Sequence, residues 1–302
     1  GGEAMKLSRG ERTFDIFNVV VMTLFAAICL YPFIYVIALS FNDGTDAMRG
    51  GIYFFPRKFT LENYAKLFED NRIIGSFFIS VFRTVMVATF GTLVNAMFAY
   101  GISKSDMPFR KFFNWMIVIP MYFGGGIIPY FLICKSLGLT NTIWVYVIPW
   151  LATPFHIMLL RVSIKELPES LEESAFLDGA GYWIIFVRII LPLLKPALAT
   201  VILLAGIGQW NDWMDGTIMV SNSKLWPLQT LLLSILQGTD MMAFFKEKNL
   251  STAGGAMARK ISITPESLKM AMLVITVVPI FMIYPFAQKY FIKGIMVGSV
   301  KG

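Results

Sequence analysis

The chain is 302 residues long, 56% hydrophobic and only 15% charged, with a formal net charge of +7. Soluble domains are roughly a quarter charged, so a water-soluble fold would lack the polar surface to cover this much apolar side chain. The apolar residues fall into long uncharged runs, which points to lipid, and the basic residues are scattered between those runs without the stripe that nucleic acid requires.

Gly1 to Ala4, ahead of Met5, reads as an expression remnant. Residues 1–12 read as a short cytoplasmic N-terminus, and 13–302 as a single transmembrane domain. A helix needs roughly 20 apolar residues to cross a hydrocarbon core about 30 Å thick. Five runs meet this: Ile16 to Asn42, Ile73 to Ser103, Phe112 to Cys134, Leu137 to Leu160 and Met270 to Ala287. The first is too long for a signal core and no small-residue cleavage pattern follows it, so it counts as a span. A sixth, Pro196 to Val220, is apolar in its first half and carries Asp212 and Asp215 in its second. Leu225 to Gln237 is too short to cross and reads as interfacial or re-entrant. The expected fold class is an all-α membrane protein with six transmembrane helices and both termini on one side.

Basic residues divide almost evenly between the two sets of loops. Lys6, Arg9 and Arg12 before the first span, and Lys104, Arg110 and Lys111 in the second connection, favour a cytoplasmic N-terminus. Prolines such as Pro32, Pro120, Pro129, Pro149, Pro154, Pro279 and Pro285 fall inside the runs, where neighbouring helices can satisfy the freed carbonyls. Arg83 interrupts the second run near its outer end, where a snorkelling anchor is preferred to a substrate contact. His156 lies in an apolar span with no nucleophile pattern beside it and reads as a packing donor rather than a proton carrier. Cys29 and Cys134 sit in apolar runs as small hydrophobes, with no metal or redox spacing.

The connection 161–196 carries more pattern than a linker needs. Pro168 can open a short helix with Glu169, Glu172 and Glu173 at its positive end, and Gly179 can stop it. A second short helix, Tyr182 to Leu191, then runs up to Pro192 and the next span. The series Glu173-Ser174-Ala175-Phe176-Leu177-Asp178-Gly179-Ala180, followed by Phe186, Ile189, Leu191-Pro192 and Pro196, resembles the cytoplasmic "EAA" loop of binding-protein-dependent importer permeases. Ser174, where alanine is usual, is a small-for-small departure. Leu61-Glu62-Asn63-Tyr64, Trp210-Asn211-Asp212 and the ending Gln288 to Gly294 with Lys301-Gly302 resemble carbohydrate permeases related to the maltose system. Tyr122-Phe123-Gly124-Gly125-Gly126 with Ile128-Pro129 resembles the branch for polysaccharide fragments.

That resemblance implies a type I ABC importer permease fold with a cytoplasmic coupling helix. It implies a second, homologous permease subunit, two separate ATPase subunits that hold the ATP and magnesium, and an extracytoplasmic substrate-binding protein, all at a bacterial cytoplasmic membrane. Within the loop, Glu173 would meet a basic side chain of the ATPase, Phe176 and Leu177 would fill its groove, Gly179 would set the turn, and Asp178 would cap the following helix. Ala180, Phe186, Leu191, Pro192 and Pro196 complete the coupling motif. The chain itself has no Gly-Lys-Ser/Thr phosphate loop and no catalytic constellation, so no cofactor or metal is expected on it.

Sugars are held by aromatic faces and hydroxyl-bonding side chains, and Gln209-Trp210-Asn211-Asp212-Trp213 concentrates both in a spanning segment. A charged group at membrane depth costs at least about 2.5 kcal/mol, so Asp212 should meet a partner or water. An interfacial aromatic belt is the competing reading of the tryptophans. The outer segment 238–266, with Thr252 to Ala256 at its centre, is expected to meet the binding protein. A permease for a non-sugar solute, a passive channel and a membrane enzyme are the other functions considered.

Overall fold

The computed structural model describes residues 9–238 and 263–299. The N-terminal remnant, Thr252 to Ala256 with most of the segment 238–266, and Lys301-Gly302 lie outside the described residues. Among the described residues the chain is helical with no strand, apart from one isolated bridge between Asn42 and Phe59. It divides into two compact units, residues 1–69 with 240–275 and residues 70–239 with 276–302.

In the first unit, α1 (Arg9–Ser40) carries past its charged first turns an uncharged apolar stretch long enough to cross a membrane, and only its last turn, with Ala38 and Ser40, is buried. Beyond it the chain folds on a buried polar hub. Asn63, in the short helix α2 (Glu62–Phe68), donates to the Ser40 and Asn42 carbonyls at 2.9 Å each. Asn42 donates to Asp46, and Arg57 Nε donates to the same carboxylate at 2.9 Å. The Arg57 guanidinium holds the Asp46 carboxyl below its ordinary range.

The second unit is built on α3 (Asn71–Ser103), which is long and apolar enough to cross alone. Its middle, Val87–Gly91, widens into a π-turn, where Gly91 lets the Trp150 and Leu151 carbonyls approach. Asn95, one turn on, donates to the Gly91 carbonyl and accepts from the Thr153 amide, so it pins that approach with two bonds.

The expected third span is broken: α4 (Arg110–Tyr122) and α5 (Ile127–Ser136) are separated by Phe123 and three glycines. Pro120 weakens the end of α4, and Gly126 at φ +82° adopts a conformation that only glycine enters without strain. The expected fourth span is broken too. A 3₁₀ stretch, Ile143–Trp150, bends by 40° into α6 (Pro154–Lys165), because Pro149 and Pro154 withhold the amides a continuous helix needs.

Two short helices follow, α7 (Ser170–Leu177) and α8 (Tyr182–Leu193), the second turning 80° into α9 (Lys195–Asn211). The expected span Pro196 to Val220 stops at Asp212 and resumes as α10 (Met214–Met219). α11 (Leu228–Leu236) packs back on the start of α3, with the Leu228 amide donating to Ser80 Oγ at 2.8 Å. The last helix, α12 (Pro265–Ser299), contains Pro279 and Pro285. Among the described residues three helices are long and apolar enough to cross a membrane, and up to five if each bent pair counts as one span.

Candidate functional site

The α7–α8 turn forms as the sequence pattern suggests. Helix α7 ends in a glycine motif: the Ala180 amide donates to the Ala175 carbonyl at 2.9 Å and the Gly179 amide to the Phe176 carbonyl at 3.0 Å. Gly179 sits at φ +82°, with open space where a Cβ would go, so conformation rather than crowding demands glycine there. The Phe176 ring meets the Tyr182 ring edge-on at 5.0 Å and closes the turn.

The motif residues divide by face. Glu173, Phe176, Leu177, Asp178 and Gly179 are exposed, with Leu177 89% exposed. Pro192 and Pro196 are exposed as well, Ala180 and Leu191 are half-buried, and Phe186 is buried against Tyr100 of α3 with ring centroids 5.3 Å apart. Phe186 therefore fixes the loop to its own subunit and is not part of the outer face. Asp178 does not cap α8 as expected: Gly181 stands at that cap without a side-chain bond, and Asp178 closes α7 instead. Glu172, one of three acids expected at the start of the loop, forms an ion pair with Lys104. Asp106 accepts from the Tyr182 hydroxyl at 2.5 Å, which holds its carboxyl below the ordinary range.

The second cluster lies where α9 breaks. Arg83 of α3 has no exposed surface. Its Nε and Nη2 donate to Gln209 Oε1 at 3.0 and 2.9 Å, its Nη1 to the Asp212 carbonyl at 3.2 Å, and Nη2 to Asp212 Oδ2 at 2.6 Å. The guanidinium also stands 4.7 Å from the centre of the Tyr146 ring. The snorkelling anchor is thus corrected to a buried counter-ion. The local reason is that Asp212, outside helical geometry at ψ 125°, offers both carbonyl and carboxylate to one side chain.

Asp215 is buried a turn further on and accepts from Trp150 Nε1 at 2.7 Å. Sequence reasoning assigned Arg83 and Asp215 no partners, because Gln209 and Trp150 stand 126 and 65 residues away. The five residues expected on a substrate path also separate. Gln209 is spent on Arg83, and Trp210 is buried with its Nε1 on the Thr276 carbonyl at 3.1 Å. Asn211 and Trp213 are exposed, Trp213 by 47%, and Asp212 keeps 17% of its side chain open. Gln229 of α11, absent from the sequence reading, donates to Asn211 Oδ1 at 3.3 Å. His156 is half-buried beside Phe155 and makes no hydrogen bond among the described residues. Among the described residues no group of acidic, histidine or cysteine side chains is arranged to hold a metal.

Residues 2–297 match the family described as binding-protein-dependent transport system inner membrane component. The chain is 36% identical, over 97% of its length and 99% of the relative's, to the polygalacturonan/rhamnogalacturonan transport system permease protein YtcP of Bacillus subtilis (strain 168). It is 30% identical, over 92% of its own length and 93% of the relative's, to the arabinooligosaccharides transport system permease protein AraQ of Halalkalibacterium halodurans. Among solved structures, one chain of a bacterial ABC transporter involved in the import of the acidic polysaccharide alginate aligns at TM-score 0.80 with 29% identity, covering 95% of this chain and 99% of that one. The chain therefore belongs to the binding-protein-dependent transport system inner membrane components, as a permease subunit of an ABC importer and a transport component rather than an enzyme.

Proposed function

We propose that the chain spans the membrane six times with both termini in the cytoplasm and forms half of the path for an oligosaccharide. Uptake is driven by ATP and magnesium held on two separate ATPase subunits, a second permease subunit supplies the other half of the path, and an extracytoplasmic binding protein delivers the substrate. The broken pair α4–α5 serves as one span, the 3₁₀ stretch with α6 as another, and α9–α10 as a third. With α1, α3 and α12 these make six.

The observation that carries the coupling role is the exposed apolar pair Phe176 and Leu177, displayed beside a glycine-closed turn. Leaving Leu177 so open forfeits burial worth about 1.5–3 kcal/mol, which a groove on a partner would recover. Glu173 stands on the same exposed stretch, ready for a basic side chain. Relatives named for polygalacturonan and arabinooligosaccharide transport support a carbohydrate cargo.

On the path itself, Asn211 and Trp213 are exposed and Gln229 donates to Asn211 Oδ1, so amides and an aromatic face stand together where sugar hydroxyls can meet them. Gln209 and Trp210 are withdrawn from that role by their burial.

The test is uptake by the reconstituted complex in vesicles, with and without the ATPase subunits. Uptake of an oligosaccharide that requires both ATP and the binding protein is expected. Conduction that persists without the ATPase would leave a passive channel as the better reading. Asn211→Leu with Gln229→Leu should reduce uptake while binding-protein docking survives, and wild-type uptake in that double variant would remove these residues from the path.

A further inference from the structure

The connection between α3 and α4, residues 104–109, is braced by Arg110 and makes contacts that the coupling motif does not include. Arg110 Nε donates to the Ile102 carbonyl at 3.1 Å and its Nη2 to the Ser103 carbonyl at 3.3 Å, which closes the inner end of α3. From that platform two side chains reach the loop. Lys104 pairs with Glu172 on α7, and its ammonium lies 4.2 Å from the centre of the Tyr100 ring. Tyr100 also donates to Glu172 at 3.4 Å. Asp106 takes the hydroxyl of Tyr182, the first residue of α8. Each half of the helix–turn–helix is therefore tied by a charged group of the connection that follows α3, and α7 is held by Tyr100 of α3 as well. The Phe186–Tyr100 ring contact lies in the same region.

We infer that Lys104 and Asp106 are positioning residues for energy coupling, which transmit displacement of the α7–α8 turn directly into α3, beside the covalent route through α8 into α9. This rests on the turn being the ATPase-docking surface. The covalent route alone is a poor lever, because it passes through the 80° bend between α8 and α9 at Leu194. A rigid helix is a better one. Tyr100 and Arg83 lie on α3 seventeen residues apart, about 25 Å at helical rise, so the tethers stand at one end of the same helix whose Arg83 grips the break at Asp212. Charge-assisted bonds suit the task, since they fix orientation as well as distance. Removing them leaves only the Tyr100 contacts with Glu172 and Phe186 and the apolar packing around them, so the turn moves α3 less faithfully.

The test uses the whole complex, with partner permease, ATPase pair and binding protein, in lipid nanodiscs and vesicles. Lys104→Met and Asp106→Asn remove the charges at nearly constant size, and Tyr182→Phe removes one hydroxyl. All three are expected to keep ATPase co-purification, because Phe176 and Leu177 are untouched. Substrate carried per ATP hydrolysed should fall by about threefold to thirtyfold. Exchanging the charges, Lys104→Glu with Glu172→Lys, should restore much of the ratio. An unchanged ratio in Lys104→Met combined with Asp106→Asn would overturn the tethers alone. Loss of ATPase co-purification in these variants would also overturn them, by making the connection a docking contact. Leu177→Asp serves as the separate check, expected to abolish docking. If it docked normally, the coupling surface itself would be wrong, and the inference would fall with it.

Discussion

Replacing Asp212 with leucine should destabilise the subunit itself, whatever it does to transport. Arg83 is fully buried and bonds to Gln209 Oε1, the Asp212 carbonyl and the Asp212 carboxylate. Leucine leaves the carbonyl and Gln209 in place but removes the negative charge. Breaking a buried pair by deleting one partner costs about 3–5 kcal/mol, and the retained bonds with the Tyr146 ring at 4.7 Å place the expected loss near about 3 kcal/mol. Asparagine keeps an acceptor oxygen and should lose about 1–2 kcal/mol, the scale of one charge-assisted bond. Adding Arg83→Met to Asp212→Leu removes the stranded cation and should recover at least half of the loss. Thermal unfolding of the purified subunit in detergent reads the order: wild type first, Leu alone last, with Asn and the double variant between them. If the double variant were no more stable than Asp212→Leu, Arg83 would not be a cation that needs this partner, and the reasoning would fail.

Gly179→Ala should cost about 1–2 kcal/mol through its left-handed backbone, and Gly179→Pro should disrupt the turn outright, because the Gly179 amide donates to the Phe176 carbonyl. Reduced ATPase co-purification with normal membrane insertion is the expected readout for both. Gly216→Ala would put a Cβ 2.1 Å from Thr230 Oγ1; it should destabilise by about 1–3 kcal/mol, with Thr230→Ala recovering part, and an unchanged unfolding temperature for Gly216→Ala alone would show that α10 and α11 do not approach so closely. For orientation, cysteines at Ser174 and at the exposed Phe55 should react with an impermeant reagent from the cytoplasmic and outer sides respectively. The reverse pattern would invert the topology.

The long spans were legible because hydrocarbon imposes a length and an uncharged composition that few other environments demand. The Gly179 turn was legible for a similar reason, since its instruction is local and written in residues that only helix ends favour. The breaks were not placed, although their causes stand in the sequence. Pro120 read there as tolerated irregularity inside a span, and the three glycines at 124–126 as part of the segment that resembles the polysaccharide-fragment branch. What decides between a kink and a full interruption is whether neighbouring groups satisfy the freed backbone, and composition does not carry that information. The same limit hid the interruption at Asp212, where the side chain's partner is an arginine in another helix.

The candidate site divides along the same line. The glycine-closed turn that displays Phe176 and Leu177 is readable, because the residues that build it are contiguous in the sequence. Roles inside the fold are not, because a side chain's function there is set by what meets it. Arg83 had the composition of a snorkelling anchor and became a counter-ion once α9 brought Gln209 and Asp212 to it. Gln209 and Trp210 had the composition of a sugar subsite, yet helical periodicity turned both inward, one to Arg83 and one to the Thr276 carbonyl, while Asn211 and Trp213 face out. Glu172 shared its acidic character with Glu173, and Lys104, 68 residues earlier, separated their roles. A polar residue in an apolar segment announces that a partner exists. Which partner it meets depends on helices distant in sequence, and that dependence lets one arginine gather the carbonyl and carboxylate of Asp212 together with the side-chain oxygen of Gln209.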